Sequence, residues 1–163
     1  MGIGVSQIKH VKLPASDLRR SATWYRSVFD LELVAEFVED GEVRGVSLLD
    51  RDAGFEIALR QTDYCVGPPR LAGFDVFALR APTDAVVDSV AQRCDRLGVE
   101  HSDVRRIPGY VTGVDIPDPD GTIIRIVWHD PKGMSGFLGV EYDADGRPRP
   151  YREPRLAAFD RPG

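Results

Sequence analysis

Residues 8–18 read Ile8-Lys9-His10-Val11-Lys12-Leu13-Pro14-Ala15-Ser16-Asp17-Leu18. A short strand over residues 8–13 meets Pro14, and Ser16 or Asp17 then supplies the N-cap of a helix. Inside that helix Leu18, Ala22, Tyr25 and Phe29 recur at the spacing of one apolar face. Three β-like segments follow, at residues 33–38, 43–49 and 55–60. Asp40-Gly41 marks a turn between the first two, and residues 50–54 form a loop before the third.

The same order then repeats. Gly67, Pro68 and Pro69 mark a linker over residues 62–72. Residues 74–80 read as a strand, and Pro82-Thr83-Asp84 opens a helix whose apolar stripe is Val87, Val90, Cys94 and Leu97, stopped by Gly98. Strands are expected at residues 99–104, 110–116 and 122–129. The last two are joined by Asp118-Pro119-Asp120-Gly121, which fits a type I turn. The organisation is therefore two βαβββ modules, residues 8–61 and 73–130, in an α+β chain. Residues 131–163 lie outside both. Their glycines and prolines oppose a helix or a central strand, while Met134, Phe137, Leu138, Tyr142, Tyr151 and Leu156 oppose pure disorder, so an ordered flap and a disordered tail both remain open.

The opening from His10-Val11-Lys12-Leu13 through Asp17-Leu18 to Trp24-Tyr25, together with Asp118-Pro119-Asp120-Gly121-Thr122-Ile123-Ile124, resembles the vicinal oxygen chelate superfamily. That superfamily includes glyoxalase I, extradiol dioxygenases, fosfomycin-modifying enzymes and bleomycin-binding proteins. The resemblance covers residues 8–130. It implies curved mixed sheets around a small-molecule cleft, with helices on the outer face, and a homodimer. It also implies that metal-using relatives draw one donor from each opening strand and a Glu from each closing strand.

Side chains alternate along a strand, so each strand can be sorted into faces. Phe55, Ile57 and Leu59 pack on the helix, leaving Glu56 inward; Ile124, Ile126 and Trp128 do the same, leaving Arg125 and His129 inward. On the opening strands His10 and Phe74 turn inward. A slip of one residue would bring Asp75 inward instead, at the cost of turning Phe77 off the helix, so Phe74 is the expected position. The cleft floor is then His10, Glu56, Phe74 and Arg125, with His129 at the mouth.

Set against the ligand pattern that the resemblance implies, His10 and Glu56 match one module while Phe74 and Arg125 depart from the other. Two donors fall short of the three or more that a catalytic metal site draws on. An inward guanidinium at about 4 Å would also repel a cation by roughly 4 kcal/mol per unit of ion charge. No cofactor is therefore expected, with a divalent metal held by His10 and Glu56 the alternative. Arg125 is expected to pair with Glu56 or to grip an anionic ligand. The leading expectation is a binding protein for a small organic ligand, apolar or anionic, with Phe74, Arg125 and His129 as ligand-binding residues. The alternative is a lyase, isomerase or dioxygenase of the same superfamily, with His10 and Glu56 as catalytic residues.

Composition narrows the partners. A net charge of −5 without a basic cluster in the modules argues against nucleic acid. Cys65 and Cys94 make neither a disulfide framework nor a metal motif. No secretory leader and no membrane-length apolar run appear, so a cytoplasmic location and no membrane contact are expected.

Overall fold

The computed structural model describes residues 7–67, 69–133 and 139–151. The tail residues Met134, Phe137, Leu138 and Leu156 lie outside them. Each module builds one four-stranded mixed sheet. In the first, β1 (Val11–Ala15) leads into α1 (Leu18–Phe29), then β2 (Glu32–Glu39), β3 (Glu42–Leu49) and β4 (Glu56–Gln61). In the second, β5 (Asp75–Arg80) leads into α2 (Asp84–Leu97), then β6 (Arg105–Ile107), β7 (Val111–Pro117) and β8 (Ile123–His129). The strand orders are β1-β4-β3-β2 and β5-β8-β7-β6, with the opening strand parallel to the closing strand in both. The element order read from the sequence is thus the observed one.

Local chemistry sets the boundaries. Asp17 is the N-cap of α1, its carboxylate accepting from the Arg20 amide at 2.9 Å. Asp40 and Gly41 both take positive φ, 51° and 78°, as a tight hairpin turn requires. The β7–β8 turn closes by the Gly121 amide donating to the Asp118 carbonyl at 2.9 Å, with Gly121 at φ 82°. Buried Ser21, Tyr25 and Val28 centre the inward face of α1, and Val87, Ala91 and Cys94 that of α2. Leu97, expected on the stripe, is exposed instead.

Residues 99–104 are not a strand, contrary to expectation; the short β6 comes after them. The Val99 amide is spent on closing α2, donating to the Cys94 carbonyl at 2.9 Å. Further on, Ser102 fastens the segment to β7: its amide donates to the Asp115 carbonyl at 2.8 Å, and its hydroxyl accepts from the Asp115 amide at 3.0 Å. A side chain thus replaces one rung of a ladder.

One apolar cluster spans both modules, from Leu13, Tyr25, Leu48, Ile57 and Leu59 to Val87, Val114, Ile116, Ile124 and Ile126. Each such fully buried side chain contributes on the order of 1.5–3 kcal/mol relative to exposure. Polar contacts also join the modules. The Arg93 guanidinium donates twice to the Ser27 carbonyl, at 3.0 and 2.8 Å, and the Tyr25 hydroxyl donates to Asp118 at 2.9 Å. Beyond the modules, β9 (Gly139–Tyr142) and β10 (Pro148–Tyr151) form an antiparallel hairpin. The prolines are tolerated because, among the described residues, the hairpin is a two-stranded sheet of its own, with no third strand needing their missing N–H groups.

Candidate functional site

The second sheet packs α2 on one face, through Val114, Ile116, Ile124 and Ile126. Its other face is built in rows by the strand register. Ala78 pairs with Arg125 and Arg125 with Asp115; Val127 pairs with Gly113 and Gly113 with Arg105; His129 pairs with Val111 and Val111 with Ile107. Together with Tyr110 and with Tyr142 and Gly146 of the hairpin, these residues other than Asp115 line a cavity of about 790 Å³. That is within the usual size range of small-molecule sites.

Arg125 is held on three sides in this floor. Its Nε and Nη2 donate to the two Asp115 oxygens at 2.7 and 3.1 Å, and its Nη1 meets Asp75 Oδ2 at 2.6 Å. Arg105 adds a bond to Asp115 Oδ2 at 2.9 Å. The bidentate bond from Arg125 holds the Asp115 carboxyl below the usual carboxylate range, and the same bond raises the Arg125 guanidinium. His129 lies in the cavity wall, edge to face with Tyr110 at 6.1 Å between ring centroids.

Phe74 is not in this floor. It precedes β5 and is 59% exposed, while Asp75 reaches Arg125. The reason is a register shift between Asp75 and Phe77, which pair with the consecutive residues Ile123 and Ile124. The extra residue, Val76, lets Asp75 share a face with Ala78 while Phe77 still packs on the core. The expectation that an inward Asp75 would displace Phe77 assumed an unbroken pleat.

In the first module His10 precedes β1 and is exposed, a correction to its expected place on the strand. It lies near Glu56. The Lys9 ammonium foremost, then the Ser47 hydroxyl, hold the Glu56 carboxyl below its usual range, and His10 adds to the pull. Lys9 is also the ion-pair partner of Glu56. The expected Glu56–Arg125 pair is therefore not formed: one is engaged by Lys9, the other by Asp115 and Asp75.

The register explains why they do not meet. The helix N-caps are Asp17 and Thr83, and counting back from each places buried Ala15 opposite Ala81, Leu13 opposite Leu79 and, with Val76 the bulged residue, His10 opposite Asp75. Leu13 pairs with Leu59 and Leu79 with Ile126, so the counterpart of Arg125 is Ala58, and that of Glu56 is Ile123. The four equivalent opening and closing positions thus hold His10, Asp75, Ala58 and Arg125. Two donors, one of them already bonded to Arg125, with an apolar side chain and a cation do not fit a divalent metal. Among the described residues no group of three or more His, Cys, Asp or Glu side chains is placed to hold one.

Tyr110, Gly113, Asp115 and Tyr142 were missed from sequence, and Asp75 was set aside there in favour of Phe74. Alternation along β7 carries the signal for Gly113 and Asp115, which share parity opposite Val114 and Ile116. Nothing local signals that Tyr142 reaches the cavity.

Paired βαβββ modules with a small-molecule-sized cavity on one open sheet face define a class of protein. A model of the Glyoxalase/Bleomycin resistance protein/Dioxygenase superfamily matches residues 7–126, and the chain belongs to that superfamily. Among solved structures it is similar to lactoylglutathione lyase from Agrobacterium tumefaciens, at 24% identity and TM-score 0.60, covering 76% of this chain and 94% of that one. It is also similar to a genomically encoded fosfomycin resistance protein from Listeria monocytogenes, at 19% identity and TM-score 0.63, covering 79% and 98%. An antibiotic binding protein from Streptomyces sp. CB03234 is 20% identical with TM-score 0.63, covering 78% and 99%. At these identities the likeness is one of fold. No curated protein matches in sequence. Among the described residues no helix is long and apolar enough to cross a membrane.

Proposed function

We propose that this chain is a metal-independent binding protein for a small organic molecule, held in the cavity on the open face of the second sheet. The observation that carries this reading is Arg125, fixed by Asp115 and Asp75 at the closing-strand position that metal-using relatives give to a ligand. A guanidinium already bonded to two carboxylates neither coordinates a cation nor leaves room for one. Sequestration of an organic compound suits such a site, as the likeness in fold to an antibiotic binding protein illustrates.

The proximity of His10 and Glu56 favours a second reading, general-base catalysis in a lyase, isomerase or dioxygenase. It is the weaker one, because a carboxylate bonded to Lys9 and depressed in pKa is a poor base at neutral pH. Elemental analysis of protein purified without added metal tests both. Metal well below one equivalent per chain is expected, with no rise in melting temperature on adding Zn, Mn or Ni. Stoichiometric metal that disappears in His10→Ala would overturn the proposal.

A further inference from the structure

The hairpin β9–β10 lies wholly beyond residue 126, where the family match ends, yet it supplies Tyr142 to the cavity. The floor beneath carries no side chain at Gly113. Val127 and Gly113 are register partners, and a Cβ on Gly113 would sit 3.3 Å from the Ile126 carbonyl oxygen and 3.9 Å from Val127 Cγ2. With hydrogen at that point, the sheet offers backbone and one methyl surface at a single level. Tyr110 and His129 stand at one end of this floor, and Arg125 with Asp115 at the other. Tyr142 of the hairpin lines the same cavity as both ends of this floor.

Charge decides what the space accepts. Every arginine lining the cavity is matched: Arg125 by Asp115 and Asp75, Arg105 by Asp115, Arg106 by Asp88. A carboxylate or phosphate ligand would meet guanidinium charge already balanced by these carboxylates, so the arrangement gives an anion little net attraction. An aromatic ring between this floor and a tyrosine loses little on binding and gains face or edge contacts.

We infer that the cavity takes a neutral, planar aromatic molecule lying on Gly113 and Val127, with Tyr142 of the C-terminal hairpin covering it as the specificity-determining residue. This rests on the binding reading above and adds the class of ligand and the cover. The test is fluorescence titration of the full chain with N-phenyl-1-naphthylamine, a neutral fused-ring probe. Saturable binding at one site is expected, displaced by naphthalene more readily than by 1-naphthoate. Tyr142→Ala should weaken it about fivefold to tenfold, while Tyr142→Phe keeps the ring and stays near wild type. Gly113→Leu should abolish it by filling the floor; Ala78→Leu fills the same space from β5 if the glycine variant does not fold. Loss in the floor variants with Tyr142→Ala unchanged would overturn the cover and leave the site standing. Binding unchanged in all of them would put the probe elsewhere and overturn the site as well. No saturable binding, or preference for 1-naphthoate, would overturn the neutral-ring assignment, while the metal measurement still judges the binding reading on its own.

Discussion

The Tyr25 hydroxyl in α1 donates to Asp118 Oδ2 at 2.9 Å, tying the helix of one module to the β7–β8 turn of the other inside the core. The other Asp118 oxygen accepts from the Asp120 and Thr122 amides, both at 2.9 Å. One carboxylate thus shapes the turn and joins the modules. Burial pushes Tyr25 far above its ordinary pKa, with Asp118 adding to it, and burial also raises Asp118 despite the three bonds it accepts.

Tyr25→Phe should therefore cost about 1–2 kcal/mol, or roughly 2–8 °C in melting temperature. The lost hydroxyl had favoured the carboxylate, so Asp118 moves further up. A carboxyl whose folded pKa is raised withdraws stability as pH rises through that range. The penalty should then be larger at neutral pH than in acid. Thermal melts of the variant and wild type across pH check it; an equal penalty at every pH would mean the hydroxyl does not act on Asp118.

The Arg125–Asp115 pair gives a second expectation. Arg125→Met leaves Asp115 and Asp75 facing the same space with Arg105 the remaining cation on Asp115, so the Asp115 pKa should rise. Asp115 is depressed in the fold, so its contribution is present above the unfolded value of about 3.9 and is lost as pH falls through the folded one. A cycle of Arg125→Met, Asp115→Asn and the double variant should show coupling of about 1 kcal/mol, modest because the arginine is partly exposed. Titration of Glu56, followed in the same variants by NMR, should not move. A shift there would mean that the two sites meet after all.

Alternation found the right faces wherever the pleat was unbroken, as in β4 and β8, where Ile57, Leu59, Ile124 and Ile126 are buried and Arg125 is turned away. It failed at β5 because one bulged residue, Val76, reverses parity without any mark in composition. It failed at residues 99–104 because a helix stop and the Ser102 hydroxyl used the backbone groups that a strand would have paired. Glu56 and Arg125 looked equivalent because each interrupts an apolar run, yet pairing with the opening strands sets them two positions apart. The cover supplied by Tyr142 depends on where a hairpin docks, which no periodicity encodes.

The final expectation concerns assembly. β1 and β5 each end their sheet, and each is preceded by a large exposed apolar residue, Ile8 at 82% and Phe74 at 59%. An open sheet edge flanked by apolar surface invites pairing with another chain. We expect a homodimer in which β1 of one protomer lies against β5 of its partner, a closed two-fold arrangement that uses both edges at once. It would also set the Lys9–Glu56 face of one protomer beside the Arg125 face of the other. Sedimentation equilibrium at tens of micromolar, roughly the range of the weaker stable interfaces, should give twice the chain mass. Phe74→Lys, at a residue outside the cavity floor, should shift the protein towards monomer without lowering the melting temperature of the monomeric fraction. A wild-type monomer at that concentration, or a dimer indifferent to both Phe74→Lys and Ile8→Lys, would rule out pairing through these edges.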